Sequence, residues 1–460
     1  MIEIRDKKVS VVGAGKSGIY SSKLLLALGV DVFLSDSGKK ENIKGLEELP
    51  AEVKTEFGGH SEKVLDADLI VLSPGVPAGI PILKKAFSKK IPVISEIELA
   101  YPYLKSPIIS ITGTNGKTTT TTLIGEIMKA SGKKTAVGGN IGEPLVKFAR
   151  PLLKTEGYDV IVSEISSFQL ETIIDFKPHV AVMLNITPDH LDRYAGMAGY
   201  IDAKARIFRN QGKDDFAVLN ANCANTMSLR PKIRSKILTY SRSNKQKEGV
   251  FLKNKNIISN IGGTEKVICN ISDIKLLGVH NIENAMASIA ASVAMGVGQK
   301  TIFDVLRNFS GLEHRIEFVR ELNGIKFIND SKGTNVDAVL RAIESFADPV
   351  SKSIILILGG RNKDTDFGVL VKPLKESVKK VILIGEAKEQ IKGMILRNDS
   401  SLGSIMSVVA DDMGEAVRIA YSGAVKGDYI VLSPGCASFD MFENYKHRGK
   451  VFKEEAGKLK

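Results

Sequence analysis

The chain has 460 residues, 43% hydrophobic and 25% charged, which fits a folded protein with ordinary apolar cores and excludes a disordered or low-complexity chain. At roughly 100–200 residues per domain, this length predicts about three domains. The formal net charge of +12 is carried by scattered lysines with no dense basic block and no interleaved aromatics. That pattern predicts a solvated lysine-rich surface, excludes nucleic acid as a partner, and is compatible with phosphorylated small ligands.

No apolar run approaches the roughly 18–20 residues of a membrane span, so no membrane association is expected. The start, MIEIRDKKVS, runs directly into a strand pattern with no apolar leader segment. Cys223, Cys269 and Cys436 lie far apart and form neither a CxxC pair nor a disulfide framework. They predict a reducing, cytoplasmic setting.

Along the chain, short Val/Ile/Leu runs at 8–12, 32–35, 69–73, 108–112, 160–164, 180–185, 354–359, 381–385 and 429–433 alternate with helix-length segments. Continuous apolar strands followed by glycine turns read as parallel strands buried on both faces, so the fold class is α/β with right-handed crossovers. Three domains are expected. Residues 1–94 form a Rossmann-like N-terminal domain, 95–311 a central P-loop ATPase-like α/β domain, and 312–460 a C-terminal Rossmann-like α/β domain. Within the central block, 220–273 is richer in polar residues and glycine, and its KILTYS and KVICNIS segments predict a small antiparallel excursion.

Gly13-Ala-Gly15-Lys-Ser17-Gly18 follows the first strand and Asp36 ends the second. This fits a turn that holds a diphosphate, with an acid for the ribose, and does not by itself name a dinucleotide. Ser73-Pro74-Gly75 ends a strand whose near copy, Leu-Ser-Pro-Gly435, recurs in the last domain. In open α/β sheets ligands sit beyond the carboxyl ends of strands, so the two turns are expected to face two different ligands. The strongest signal is Gly113-Thr114-Asn115-Gly116-Lys117-Thr118-Thr119, a short phosphate loop between a strand and a helix. Backbone N–H groups there cradle phosphates, Lys117 reaches the β/γ-phosphates and Thr118 offers a hydroxyl to Mg²⁺.

Glu164 ends a strand of the same domain, where a carboxylate can face a metal–phosphate site. His190 lies among Asp189 and Asp192, and imidazole is an unusual Mg²⁺ ligand. Lys204 reads by default as a surface lysine on a helix. Asn281 and Asn284 share a helix face at i, i+3 and suit either a base edge or a cap. Arg315 sits at the hinge near Gly311. Asp330 and Thr334 lie in one polar strand-end loop, Lys363 in another, and Ser438 and Phe439 in a third.

Together TGTNGKTTT, GGNIG, SEISSFQLE, LNITPDHLDRY, GVHNIENAMA, GLEHRIE, FINDSKGTN and LSPGCASFDMF resemble the Mur ligase family over nearly the whole chain. SSFQLE with SPGCASFDMF is similar to the branch that adds D-glutamate. The resemblance implies an ATP-dependent ligase of peptidoglycan precursor synthesis, monomeric and cytoplasmic, whose substrates are UDP-N-acetylmuramoyl-L-alanine and D-glutamate. It implies two Mg²⁺ ions, held by Thr118, Glu164, His190 and Lys204, the last carrying CO₂ as a carbamate. Lys117, His190, Lys204 and Asn140 are the catalytic group. Gly113 to Thr119, Asn281, Asn284, Arg315 and Asp330 bind ATP. Gly15, Ser17, Gly18, Asp36, Ser73, Pro74, Gly75 and Asn140 hold the UDP-sugar. Thr334, Lys363, Ser438, Phe439 and Tyr445 hold D-glutamate. Three positions depart from the family pattern: Tyr445 stands where phenylalanine is familiar, and Gly333 and Gly435 replace small side chains.

Rival readings are another Mur ligase or a folylpolyglutamate synthase, which share the phosphate loop. An NAD-dependent oxidoreductase leaves TGTNGKTTT without a role. A P-loop switch protein wants a DxxG context that is missing after Ile161.

Overall fold

The computed structural model describes all residues except 1–3, 5, 78, 154–155, 190–192, 195, 277, 348–350, 363–364 and 409–411. Three sheets carry the fold, in two compact units: residues 1–271 with 283–306, and residues 272–282 with 307–460.

The first sheet contains β1 (Lys8–Val12), β2 (Asp31–Asp36), β3 (Lys54–Phe57), β4 (Leu69–Leu72) and β5 (Val93–Ser95) in the order β3-β2-β1-β4-β5, all parallel. The order reverses at β1, so the ends of β1 and β4 open a crevice at the carboxyl edge.

The second sheet contains β6 (Ile108–Thr112), β7 (Thr135–Gly139), β8 (Val160–Glu164), β9 (Val180–Met183), β10 (Phe216–Asn220), β11 (Lys236–Ser241), β12 (Gly249–Lys253), β13 (Asn256–Asn260) and β14 (Lys266–Asn270). Their order is β14-β13-β12-β11-β10-β9-β6-β8-β7. The phosphate-loop strand β6 lies between β8 and β9, so the ends of all three sit side by side. The antiparallel excursion expected over 220–273 is corrected in part. The segment KILTYS is β11 and pairs in parallel with β10, because the short helical crossover between them returns the chain in the same direction. Antiparallel pairing in this sheet is confined to β12 with β13 and β13 with β14, while β12 pairs in parallel with β11.

The third sheet contains β15 (Glu317–Leu322), β16 (Ile325–Asn329), β17 (Ile354–Gly359), β18 (Val378–Ile384), β19 (Met406–Val408) and β20 (Tyr429–Leu432) in the order β15-β16-β20-β17-β18-β19. Only the edge strand β15 is antiparallel. All six residues of β17 are buried. Ile354, Leu356 and Leu358 pack into one core layer and Ile355 and Ile357 into the other, the period-two alternation of a strand covered on both faces. Among the described residues no helix is long and apolar enough to cross a membrane.

Candidate functional site

The phosphate loop leaves β6 and turns into the helix Lys117–Ala130 at Gly116, whose φ of +86° favours glycine. A Cβ there would also collide with the Asn284 side chain. The loop is braced from the end of β9. The Thr114 N–H donates to the Asn185 carbonyl at 2.9 Å, the Asn115 N–H to Asn185 Oδ1 at 2.9 Å, and Asn185 Nδ2 to the Asn115 carbonyl at 3.0 Å. Asn185 was not singled out in the sequence. Its one signal was a polar residue directly after a buried strand.

Two amines meet at this loop. Lys117 Nζ donates to the carbonyls of Gly113 (2.9 Å) and Thr114 (2.8 Å), and Lys204 Nζ to the Gly113 carbonyl at 2.9 Å. Lys204 is 2% exposed, so the surface reading of this lysine is overturned. The helix Gly196–Ala205 ends at this loop and sets the Lys204 side chain inward, over the Tyr200 ring. Burial, aided by the Lys117 charge and opposed by Asp189 and Glu164, pushes the Lys204 amine well below the ordinary lysine range.

Glu164, at the end of β8, is 3% exposed. Its Oε2 accepts from Thr118 Oγ1 at 2.8 Å and its Oε1 from Asn140 Nδ2 at 2.9 Å. A hydroxyl, a carboxylate and an amide therefore converge beside the phosphate loop. Hard oxygen donors of this kind suit Mg²⁺, and burial lowers the Lys204 pKa, which shifts its amine toward the neutral form that adds CO₂. The residues present thus fit both groups. His190 lies outside the described residues. Among the described residues, one group of His and carboxylates is close enough to hold an ion, namely Glu313, His314 and Glu317. Lys453 already bridges its two carboxylates, pairing with Glu313 and with Glu317 at 2.9 Å.

In the first sheet the turn after β1 and the turn after β4 lock together. Ser73 Oγ donates to the Gly13 carbonyl at 2.8 Å, and Gly18 presses on the same carbonyl with no room for a Cβ. Asp36 accepts from the N–H groups of Ala14 (2.6 Å) and Gly38 (2.7 Å). Gly15, Lys16, Tyr20 and Asp36 line a cavity of about 500 Å³. Gly15 is exposed and its Cα faces open space; Ser17 and Pro74 are half-buried and Gly75 exposed. Lys16 at the cavity rim pairs with Glu143 at 2.7 Å, just beyond Asn140. The sequence reading missed this link.

In the second unit Asp330 and Thr334 follow β16, and Ser438 and Phe439 follow β20, its neighbour in the sheet. The Asp330 N–H donates to the Leu432 carbonyl at 2.8 Å, and its Oδ2 accepts from Ser433 Oγ at 2.8 Å. Full burial raises the Asp330 carboxyl to about 7, against the pull of Ser433 and Arg315. The departures at Gly333 and Gly435 have a packing reason. A Cβ on Gly333 would crowd Asp330 Oδ2 and Ser433 Oγ, and one on Gly435, at φ +67°, would meet Phe367 and Val339. Thr334 is half-buried, Ser438 buried and Phe439 64% exposed. The Tyr445 ring lies edge-on to His314, with Lys332 Nζ 5.0 Å over its face. Lys363 lies outside the described residues. Asn281 and Asn284 both sit on the helix Val279–Ala294, buried, and Asn284 is the one that reaches the phosphate loop.

Comparisons with known proteins agree with this arrangement. Residues 7–95 match the Mur ligase MurD-like N-terminal domain, 111–292 the Mur ligase middle domain and 314–436 the Mur ligase glutamate ligase domain. The chain is 45% identical to the UDP-N-acetylmuramoylalanine--D-glutamate ligase of Pelotomaculum thermopropionicum, over 99% of this chain and 98% of that one. It is 43% identical to the enzyme of the same name from Koribacter versatilis, over 100% and 99%. Among solved structures it is similar in fold to a pseudomurein peptide ligase type C from Methanothermus fervidus (TM-score 0.61, 22% identity, 99% of this chain and 100% of that one). It is likewise similar to the UDP-N-acetylmuramate-alanine ligase MurC of Thermotoga maritima (TM-score 0.58, 20% identity, 99% and 100%). A phosphate loop braced in an α/β sheet, in a chain of three sheets matched over its full length by such relatives, leads to one assignment: the chain belongs to the Mur ligase family.

Proposed function

We propose that this chain joins D-glutamate to UDP-N-acetylmuramoyl-L-alanine at the expense of ATP, in the synthesis of a peptidoglycan precursor, working as a cytoplasmic monomer. The observation that carries the reading is the convergence of Lys117, Thr118, Asn140, Glu164 and Lys204 on one phosphate loop, in a chain whose full-length relatives bear that activity.

The division of labour follows the three expected domains. Residues 1–94 hold the UDP-sugar with Gly15 and Asp36, which line the cavity, with Ser17 and Gly18 beside them, and with the Ser73-Pro74-Gly75 turn. Residues 95–311 hold ATP on Gly113 to Thr119, with Asn281 and Asn284 toward adenine. Residues 312–460 supply Arg315 and Asp330 to the nucleotide and Thr334, Lys363, Ser438, Phe439 and Tyr445 to D-glutamate.

The alanyl carboxylate attacks the γ-phosphate in line and releases ADP, forming an acyl phosphate. Lys117 leaves its two loop carbonyls to meet the charge spread over the transferring oxygens. Asn140 stays fixed on Glu164 and directs its remaining N–H toward the acceptor. The amine of D-glutamate then attacks the activated carbonyl, loses a proton and expels phosphate, leaving the amide. Thr118, Glu164, His190 and Lys204 as its carbamate would hold two Mg²⁺ ions, which neutralise phosphate charge when bound. The neutral state favoured for buried Lys204 makes its amine reactive toward CO₂.

The test is phosphate release with ATP and UDP-N-acetylmuramoyl-L-alanine, scanned across D- and L-amino acids. Release that depends on D-glutamate alone is expected. Release with another amino acid or with a folate acceptor moves the chain to a different branch of the family.

A further inference from the structure

The helix Tyr445–Lys458 carries Arg448, the largest fully buried side chain among the described residues. The helix start is fixed by Asn444, whose side chain accepts from the N–H groups of Lys446 and His447. All five guanidinium N–H groups have an oxygen to meet. Nε donates to Ser331 Oγ at 3.0 Å. Nη2 donates to the Ser331 carbonyl at 2.8 Å and to the Cys436 carbonyl at 3.1 Å. Nη1 donates to the carbonyls of Cys436 at 3.1 Å and Ala437 at 3.4 Å. Ser331 Oγ in turn donates to the Tyr445 carbonyl at 2.8 Å, which closes the ring of contacts back onto the helix.

These acceptors belong to two loops far apart in sequence. Ser331 follows β16 and lies three residues before Thr334; Cys436 and Ala437 follow β20 and run directly into Ser438. The loop after β17 presses on the same group, since a Cβ on Gly360 would stand 3.2 Å from Nη1. No carboxylate touches the guanidinium; Asp330 and Asp440 act on it only at a distance. A buried charge without a contacting counter-ion is costly as a device for stability alone. Its planar fork, however, fixes two loops in both spacing and angle, which the three tetrahedral N–H groups of a lysine cannot reproduce.

We infer that Arg448 is a positioning residue for the amino-acid substrate: it locks the loop after β16 to the loop after β20 and so sets the distance between Thr334 and Ser438. The inference rests on the reading that these loops hold D-glutamate.

Arg448→Lys keeps the charge and loses the fork. In steady-state assays of the full-length enzyme, run at a temperature where circular dichroism shows the variant folded, its KM for D-glutamate rises about tenfold. The KM for UDP-N-acetylmuramoyl-L-alanine stays within about twofold, because that substrate is held by other loops. An unchanged D-glutamate KM, or an equal rise in both constants, assigns Arg448 to stability alone and overturns the proposal. Should Arg448→Lys fail to fold, Ser331→Ala decides. It removes one of the four acceptors and is expected to raise the D-glutamate KM about threefold, and no rise overturns the proposal. The wild-type enzyme separates this from the functional reading: if its phosphate release does not depend on D-glutamate, that reading falls and takes the proposal with it.

Discussion

The phosphate-loop end of the first unit and the carboxyl edge of the third sheet both set basic side chains beside carbonyl oxygens, and they use them in opposite ways. Lys117 and Lys204 both donate to carbonyls of the phosphate loop itself. Arg448 has every N–H directed at a carbonyl or hydroxyl of another loop. The flexible Lys117 side chain, on the loop that holds the phosphates, can turn to an incoming anion, whereas a guanidinium with every N–H met by another loop is committed to shape. The contrast separates residues that meet substrate from residues that hold the site together, and it can be broken at each point.

The largest effect is expected at Lys117. Lys117→Ala lowers kcat by about 10³-fold, about 4 kcal/mol of transition-state stabilisation, with little change in Tm. A loss below about tenfold would place Lys117 with the structural cations.

Next comes Lys204. Lys204→Ala loses about 10²-fold in kcat, and acetate partly restores it by supplying an oxygen donor in the vacated space. Carbon-13 bicarbonate labelling of the wild-type enzyme shows a carbamate signal that the variant lacks. An active alanine variant with no such signal in the wild type sinks the assignment.

Lys363→Ala tests the second region. A carboxylate left without its cationic partner costs several kcal/mol, so the D-glutamate KM rises by about tenfold or more while that of the UDP-sugar holds. Equal weakening of both substrates removes Lys363 from the pocket.

A last prediction, on stability and not on turnover, extends the comparison to a buried anion. Glu96 is fully buried, accepts from the Val146 N–H at 3.0 Å, and is pushed up to about 7 by desolvation. The folded protein then binds this proton more tightly than the unfolded chain. The stability it contributes is complete below about 4.5 and is lost as pH rises through about 7. Glu96→Gln keeps the acceptor oxygen and removes the titration. The variant should be more stable than wild type at pH 8, by up to about 3 kcal/mol, and indistinguishable from it near pH 4.5. Urea unfolding at the two pH values measures this, and parallel curves for the two proteins would refute it.

What the sequence disclosed follows from how local each signal is. The phosphate loop was legible because strand, loop, Lys-Thr and helix are contiguous, and β17 because six apolar residues stand together. Lys204 looked like any helix lysine: its burial is decided by Gly113, 91 residues away. Asn185 braces a loop 70 residues earlier, and Arg448 reaches Ser331 across 117 residues. No periodicity records such pairings, so the family resemblance supplied Lys204 and nothing supplied Arg448. The parallel pairing of β11 with β10 was misread for a related reason, since the direction of a strand is set by its crossover and not by its own residues.

Gly116 carries a consequence for inhibition. Every single-base missense change in a glycine codon introduces a side chain with a Cβ, and here that atom would run into Asn284 while the backbone sits at φ +86°. An inhibitor that draws its affinity from the N–H groups of this loop therefore addresses atoms that mutation cannot remove and a residue that mutation cannot enlarge. Resistance to it would have to arise at a distance, by altered uptake or expression, and not by escape at the point of contact.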